Sequence, residues 1–302
     1  MGKVYAQIYS LLRTNQKDLV KSLKELSEIG YDGVELMGTY TAGMTIPTYR
    51  QLLTDLKLDP LSSHGLRNEQ DYDIAHEIGV RYTDIRPDVD DNSLENVLQQ
   101  AEAMNEAGKL RAKHGLHVII HNHSQELRWI KGEEGKRRVY DVLLANTDPE
   151  YVGFEFDVGW GAFAGADPVA IVKQYPGRFP LIHVKEATRT AQSDAELEHF
   201  PDEVLALGEP IFPENPQAGH TGIERGFSFF TAEQGRMLYN SRTWNGKLGE
   251  GVIDWQALRD VCEAQGTIAY VNEREWYGYP GGKDDPYIGA KDDCEYLRSL
   301  GL

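Results

Sequence analysis

Ionisable side chains recur in this sequence at the ends of short apolar runs, and several of them stand two residues apart. Such pairs are His121 and His123, Glu155 and Asp157, and His183 and Lys185. Every second side chain of an extended strand points to the same face, so the two members of each pair would project together. Carboxylates mixed with imidazoles, without a thiolate, are typical of a site for a divalent metal ion such as Mn, Co, Mg or Zn.

Further ionisable residues stand at the ends of other apolar runs of the same kind. They are Glu35, His64, Arg86 and Glu273, and Glu126 follows shortly after the histidine pair. Burying like charges together costs several kcal/mol unless a cation compensates them. The collection therefore predicts one metal-centred site rather than isolated structural groups.

The elements that would position these residues alternate along the chain. Eight short β-rich runs are predicted as strands, over residues 4–9, 33–36, 61–64, 82–86, 117–123, 152–158, 181–185 and 268–273. Helical patterns lie between them, most clearly over residues 18–29, 92–114 and 254–264. This alternation predicts an α/β fold, a (β/α)8 TIM barrel in which residues 1–302 form a single domain. A doubly wound parallel sheet is the alternative.

One long segment interrupts the alternation after the seventh predicted strand. Residues 187–248 contain several prolines and glycines and show no clean periodicity. A stretch of this length inside a compact domain is uncommon unless it has a function or some structure of its own. We expect this insertion to be either a lid over the site or an oligomer contact, and the second alternative would make the protein a homo-oligomer.

The overall charge narrows the range of partners. The 302 residues include 31 Lys+Arg and 48 Asp+Glu, which gives a formal net charge of −17. Nucleic acids and anionic membranes both demand local positive charge, so neither is expected as a partner. The sequence has no apolar run near the ~18 residues of a membrane span, no secretory signal and only two isolated cysteines, so a cytoplasmic protein is expected.

Six segments, all outside residues 189–247, together resemble one known family. They are YDGVEL, HNHSQEL, FEFDVGWGAFAGADP, LIHVKEA, LGEGVIDWQALRD and YVNEREW. This set is similar to the sugar isomerase/epimerase group of the xylose-isomerase-like TIM-barrel superfamily, and HNHSQEL resembles the HNHDFEF form of its strand-five motif. The resemblance implies one divalent metal ion, held by residues from strands five to eight.

Carried over residue by residue, the resemblance implies Asp157, His183 and Glu273 as metal ligands. The strand-five ligand is open, because this sequence has His121 where the epimerases have a glutamate. Glu126 matches the acidic residue of the HNHDFEF form. We favour Glu126 over His121, since a third carboxylate suits a hard metal ion.

The same resemblance implies proton abstraction next to a carbonyl group, through an enediolate, in a small sugar or cyclitol. Return of the proton gives epimerisation or isomerisation, whereas loss of a β-hydroxyl gives dehydration. We expect Glu273, His123 and Glu126 to transfer protons, because imidazole titrates near neutral pH and carboxylates are the usual bases of this family.

Five further residues are expected to contact the substrate. They are His64, Arg86, His121, Lys185 and Trp160. Lys185 would stabilise a developing oxyanion, or it would form a salt bridge with Glu155. Trp160 would stack on a sugar face.

The leading hypothesis is therefore a metal-dependent sugar isomerase or epimerase. Because His121 replaces the usual glutamate, a metal-dependent lyase or dehydratase acting on an inosose or a 3-keto-glycoside is the alternative. A sugar-binding barrel without catalytic activity is a further alternative. A DNA-repair enzyme of the endonuclease IV type is disfavoured by the net charge of −17.

Overall fold

Eight parallel strands close into a barrel in the computed structural model, which describes residues 2–13, 18–197, 237, 242–274 and 285–302. The barrel strands are β1 (Lys3–Gln7), β2 (Gly33–Met37), β3 (Asp59–His64), β4 (Tyr82–Ile85), β5 (His117–His121), β6 (Val152–Asp157), β7 (Leu181–Val184) and β10 (Ala269–Asn272). The strands β8 (Glu186–Ala187) and β9 (Asn245–Gly246) form a separate antiparallel pair. The closed barrel confirms the predicted TIM barrel and excludes the doubly wound sheet.

Helices follow the strands, and local sequence signals set their ends. They are α1 (Tyr9–Arg13), α2 (Leu19–Ile29), α3 (Ile46–Asp55), α4 (Glu69–Ile78), α5 (Leu94–Ala112), α6 (Val139–Asn146), α7 (Val158–Phe163), α8 (Pro168–Gln174), α9 (Trp255–Gln265) and α10 (Pro286–Ser299). Asp18 and Asp254 cap the starts of α2 and α9, and both helices end at a glycine in the left-handed conformation, Gly30 and Gly266. Within the described ranges, we find no helix that combines the length and the apolar character needed to cross a membrane.

The barrel interior has an apolar floor below a polar upper part. The floor consists of buried inward-facing side chains, namely Tyr5, Leu61, Ile119, Leu181, Ala269 and Val271. Because side chains alternate along a strand, the next inward positions two residues after Ile119, Leu181 and Val271 hold His121, His183 and Glu273. A larger apolar core between the strands and the helices supports the barrel from outside. The fold therefore directs the predicted site residues to one end of the barrel.

Strand β5 ends at His121, two residues earlier than predicted. Its last backbone partner on β6 is Glu155. Beyond this point the side-chain amide of Asn122 replaces the backbone ladder, because Asn122 Oδ1 accepts the Asp157 N–H at 2.9 Å and Nδ2 donates to the Asp157 carbonyl at 3.2 Å. This amide ties β5 to β6 at the level of the predicted metal ligands and leaves the His123 backbone to enter the following loop.

The insertion predicted over residues 187–248 starts and ends at the pair β8–β9. The Thr188 N–H donates to the Trp244 carbonyl at 2.8 Å, which extends this pairing. The Trp244 indole is buried, and its centroid lies 4.3 Å from the Phe163 ring and 4.6 Å from the Trp160 ring. Residues 198–236 and 238–241 lie outside the described residues, so the lid and the oligomer contact stay predictions.

A substitution of Ile119 tests whether the apolar floor is tightly packed, because this side chain is fully buried directly below His121 on β5. The substitution I119A should lower the free energy of unfolding by about 2–5 kcal/mol, through lost burial and a new cavity. Urea unfolding followed by circular dichroism measures the change. The control I288A removes a side chain that is 61% exposed and should change the value by less than about 0.5 kcal/mol. Equal effects of the two variants would contradict the packed floor.

Candidate functional site

The upper part of the barrel holds two adjoining clusters of ionisable side chains. The lower cluster consists of Glu35, His64, His121 and Glu155, and the upper cluster consists of Asp157, His183, Lys185 and Glu273. Glu155 precedes Asp157 by two residues on β6, so the lower cluster lies one inward position deeper. All eight side chains are at most 11% exposed. His183 joins the two clusters, because Nε2 lies 3.2 Å from Glu35 Oε1 and Nδ1 lies 3.3 Å from Asp157 Oδ2.

Hydrogen bonds from two neighbouring strands hold Glu35 in the lower cluster. Gln7 Nε2 donates to Glu35 Oε1 and Ser62 Oγ donates to Oε2, both at 2.6 Å. His64 Nε2 lies 3.2 Å from Glu35 Oε2 and 2.8 Å from Glu155 Oε2. Sequence reasoning missed Gln7 and Ser62 and placed Glu35 at a strand end, whereas it lies in the middle of β2. The strand register is the missing signal, because Gln7 and Ser62 are the residues paired with Glu35 on β1 and β3.

Burial and neighbouring charges shift the pKa values of the lower cluster. Burial and the Glu35 charge raise the pKa of Glu155 to about 7 against the opposing effect of His183 and His64. Burial alone would raise the pKa of Glu35, but His64 and His183 hold it well below its usual range. Burial alone would lower the pKa of His64, but its acidic neighbours Glu35, Asp84 and Glu155 hold this pKa well above its usual value. In the lower cluster Glu35 is therefore charged, and Glu155 and His64 are the groups that hold protons.

A buried lysine joins two carboxylates in the upper cluster. Lys185 Nζ lies 3.1 Å from Asp157 Oδ2 and 2.8 Å from Glu273 Oε2. The suggested salt bridge between Lys185 and Glu155 is therefore replaced by these two, because Lys185 lies one inward position beyond His183, at the level of Asp157 and Glu273. Burial alone would lower the pKa of His183, but its acidic neighbours, Glu155 foremost, raise it to about 10.

The loop after β5 carries Glu126 and also His123, whose ring lies next to that of His121. The His123 N–H donates to Glu126 Oε2 at 2.8 Å, and Glu126 lies in a 3-10 turn, Gln125–Leu127. Burial raises the pKa of Glu126. The His123 ring lies 5.1 Å from the His121 ring and 5.4 Å from the Trp160 ring. The Glu126 carboxylate thus faces the backbone of its own loop, and its role as a metal ligand and proton carrier stays a prediction.

The predicted substrate contacts differ in their exposure. Arg86 is half-exposed, with Nε 3.9 Å from Asp84 Oδ2. Trp160 is buried between the rings of His123 and Trp244, and Lys185 Nζ lies 5.4 Å from a Trp160 ring centroid. His64, His121 and Lys185 are also buried. Trp160 therefore packs against His123, Trp244 and Lys185 beside the site, and its predicted stacking on a sugar stays a prediction.

The donor atoms present fit a divalent metal ion. Three groups bring their donor atoms within 4.8 Å of one another, namely His64 with His121 and Glu155, His121 with Asp157 and His183, and Glu35 with Glu155 and His183. Burial and the nearby His183 and His64 hold the pKa of His121 well below its usual value, so this ring is neutral, the form that binds metals. Its Nδ1 is buried and has no hydrogen-bond partner among the described residues, which fits the role of a metal ligand.

Comparisons with curated proteins give partial matches to dehydratases. The inosose dehydratase of Bacillus cereus (strain AH820) is 34% identical over 86 residues, which cover 28% of this chain and 27% of that protein. The inosose dehydratase of Mesomycoplasma hyopneumoniae (strain J) is 26% identical over 179 residues, which cover 57% of this chain and 54% of that protein. The chain thus spans about a quarter to about half the length of these relatives. No family model matches the chain.

Solved structures match almost the whole chain. A sugar phosphate isomerase/epimerase from Parabacteroides distasonis superposes with a TM-score of 0.67 at 20% identity, covering 99% of this chain and 94% of the other. The chain therefore shares the TIM-barrel fold of this protein. The IOLI protein, solved with a bound zinc atom, superposes with a TM-score of 0.64 at 12% identity, covering 99% of this chain and 97% of the other.

A substitution of Lys185 tests how the buried charges of the upper cluster are compensated. In metal-free protein, K185M leaves Asp157 and Glu273 without the ammonium group and should lower the free energy of unfolding by about 3–5 kcal/mol. Urea unfolding after chelation and dialysis measures the change. The control K247M removes a salt bridge with Asp292 whose side chains are 45% and 40% exposed, and should cost less than about 1 kcal/mol. A similar small effect of K185M would show that its ion pairs do not compensate the buried charges.

Proposed function

We propose that this protein is a divalent-metal-dependent lyase that removes water from a keto-cyclitol or a related polyhydroxy ketone. The proposal rests on one observation: the two sides of the barrel mouth carry different ionisable groups. Glu273 with Lys185 stands on one side, and His123 stands on the loop after β5, separated from β10 by β7 and β6. An elimination needs a base and a different group as acid, which this arrangement offers. The partial matches to inosose dehydratases support the same reaction class.

Asp157, His183 and Glu273 would hold the metal ion, and Glu126 or His121 would add the ligand from strand five. One imidazole with several carboxylates suits Mn, Co, Mg or Zn. When bound, the metal ion polarises the carbonyl group of the substrate and so acidifies the neighbouring C–H bond.

Glu273 is the best-placed base, because it is the most exposed carboxylate of the upper cluster, at 11%. It takes the proton from the carbon next to the carbonyl group, and the electron pair of that C–H bond forms a carbon–carbon double bond. The bond to the β-hydroxyl breaks at the same time, and His123 supplies the proton with which this oxygen leaves as water. Lys185 stabilises negative charge that develops on the carbonyl oxygen.

Isomerisation or epimerisation is the second candidate. The set Asp157, His183 and Glu273 is the one that the resemblance to sugar isomerases and epimerases implies, and the first proton transfer is the same. The two reactions differ in the step that follows. In isomerisation or epimerisation a proton returns to carbon, whereas in dehydration the β-hydroxyl group is lost.

The reaction class can be decided by NMR spectroscopy in D2O, with metal-loaded protein and a panel of inososes, ketoses and 3-keto-glycosides. We expect a product that has lost one molecule of water. Deuterium incorporation into a product of unchanged composition would instead identify an isomerase or epimerase. Neither deuterium exchange nor product with any of these substrates would contradict both candidates and leave a sugar-binding barrel.

Two substitutions test the assigned proton carriers. E273Q and H123N should each reduce turnover by about 100-fold to 10,000-fold, because each removes one group that transfers a proton. Steady-state kinetics with the active substrate measures the loss. E250Q and H114N are matched controls, since Glu250 is an exposed acid and His114 pairs with Asp73 away from the barrel mouth. Full activity of H123N would reject His123 as the acid.

A further inference from the structure

We propose that the lower cluster is a second divalent cation site, separate from the metal site of Asp157, His183 and Glu273. Its ligands are His64, His121 and Glu155, and Glu35 lies beside them. This assignment uses His121 in the lower site, although its donor atom also lies within 4.8 Å of those of Asp157 and His183. The inference goes beyond the proposed function, which requires a single metal ion.

Three donor–donor distances in the lower cluster lie within about 0.2 Å of the spacing expected of ligands around one ion. His64 Nε2 lies 2.8 Å from Glu155 Oε2, and His121 Nδ1 lies 3.4 Å from the same oxygen. Glu35 Oε2 lies 3.2 Å from His64 Nε2. Two ligands ~2.1 Å from one ion, at tetrahedral or octahedral angles, are themselves about 3.0–3.4 Å apart. Little rearrangement is therefore needed to accept a cation.

Two buried atoms of the cluster lack hydrogen-bond partners among the described residues. They are His121 Nδ1 and Glu155 Oε1, on side chains that are 3% and 0% exposed. A buried polar atom without a partner costs about 1–3 kcal/mol. One cation between the two side chains would satisfy both atoms at once. This observation is independent of the spacing between the ligands.

The charges of the lower cluster can also accommodate a cation. Glu35 and Glu155 are fully buried, and within the described part of the chain their ion-pair partners are histidines only. The ammonium group of Lys185 contacts Asp157 and Glu273 instead. Positive charge in the lower cluster must therefore come from protonated imidazole or from a metal ion. Two imidazoles with carboxylates favour a first-row transition metal such as Zn or Co over Mg.

Hydrogen bonds from side chains outside the cluster hold its carboxylates in an orientation suited to binding a cation. Gln7 and Ser62 each donate a hydrogen bond to Glu35, which keeps this carboxylate oriented toward His64. Metal ligands are commonly oriented by such outer hydrogen bonds. The four strands that carry Gln7, Glu35, Ser62 and Glu155 belong to one closed barrel, so the cluster is held rigidly.

Metal stoichiometry tests the proposal directly. Chelated protein is dialysed against Co²⁺ or Zn²⁺, and bound metal is counted by mass spectrometry while folding is checked by circular dichroism. We expect two equivalents per chain in the wild type, and one in H64Q, in E155Q and in D157N. The matched control H114Q should keep two, because His114 lies away from the barrel mouth and pairs with Asp73 and Glu69.

The pattern across the variants separates the two sites. One equivalent in the wild type that is kept by H64Q and E155Q but lost by D157N would overturn the lower site and leave the proposed function intact. One equivalent lost by H64Q and E155Q but kept by D157N would support the lower site and contradict the metal placement of the proposed function. No bound metal in the wild type would overturn both.

Discussion

The burial of four carboxylates inside one barrel mouth is the constraint on which the rest of this structure depends. Glu35, Glu155 and Asp157 are fully buried and Glu273 nearly so, and such a concentration of negative charge is unstable without compensation. The protein meets this need with Lys185 in the upper cluster and with histidines throughout. The same need makes the barrel mouth a natural place for metal cations, and so it connects stability with the proposed chemistry.

Parallel strand pairing turns a scattered set of residues into this mouth. Several strands contribute inward side chains above the apolar floor, and the closed barrel brings together strands that are far apart in sequence. Asn122 shows how local detail adjusts the arrangement, because its amide takes over the pairing of β5 with β6 where the backbone ladder ends. His123 then lies in the following loop, where its ring contacts those of His121 and Trp160.

Much of the fold could be predicted because its signals are local. The eight strands follow from apolar β-rich runs, and Asp18 and Asp254 mark helix starts through capping bonds that involve only the next few residues. The site was predicted less completely. Gln7 and Ser62 carry no local signal of function, since their role comes from lying opposite Glu35 on neighbouring strands. The pairing of Lys185 with Asp157 and Glu273, rather than Glu155, likewise depends on the relative heights of three strands.

The amino-acid sequence by itself determined the barrel architecture, the side chains that enter the mouth and the mixture of acids and imidazoles that suits a divalent metal ion. These properties depend on residue type and on a two-residue period within single strands. Only the tertiary structure decided which charges meet, that Glu155 has a pKa of about 7 and that His121 Nδ1 is buried without a partner. Distances and burial arise from contacts between distant segments, and pairing energies in a low-dielectric interior depend steeply on both.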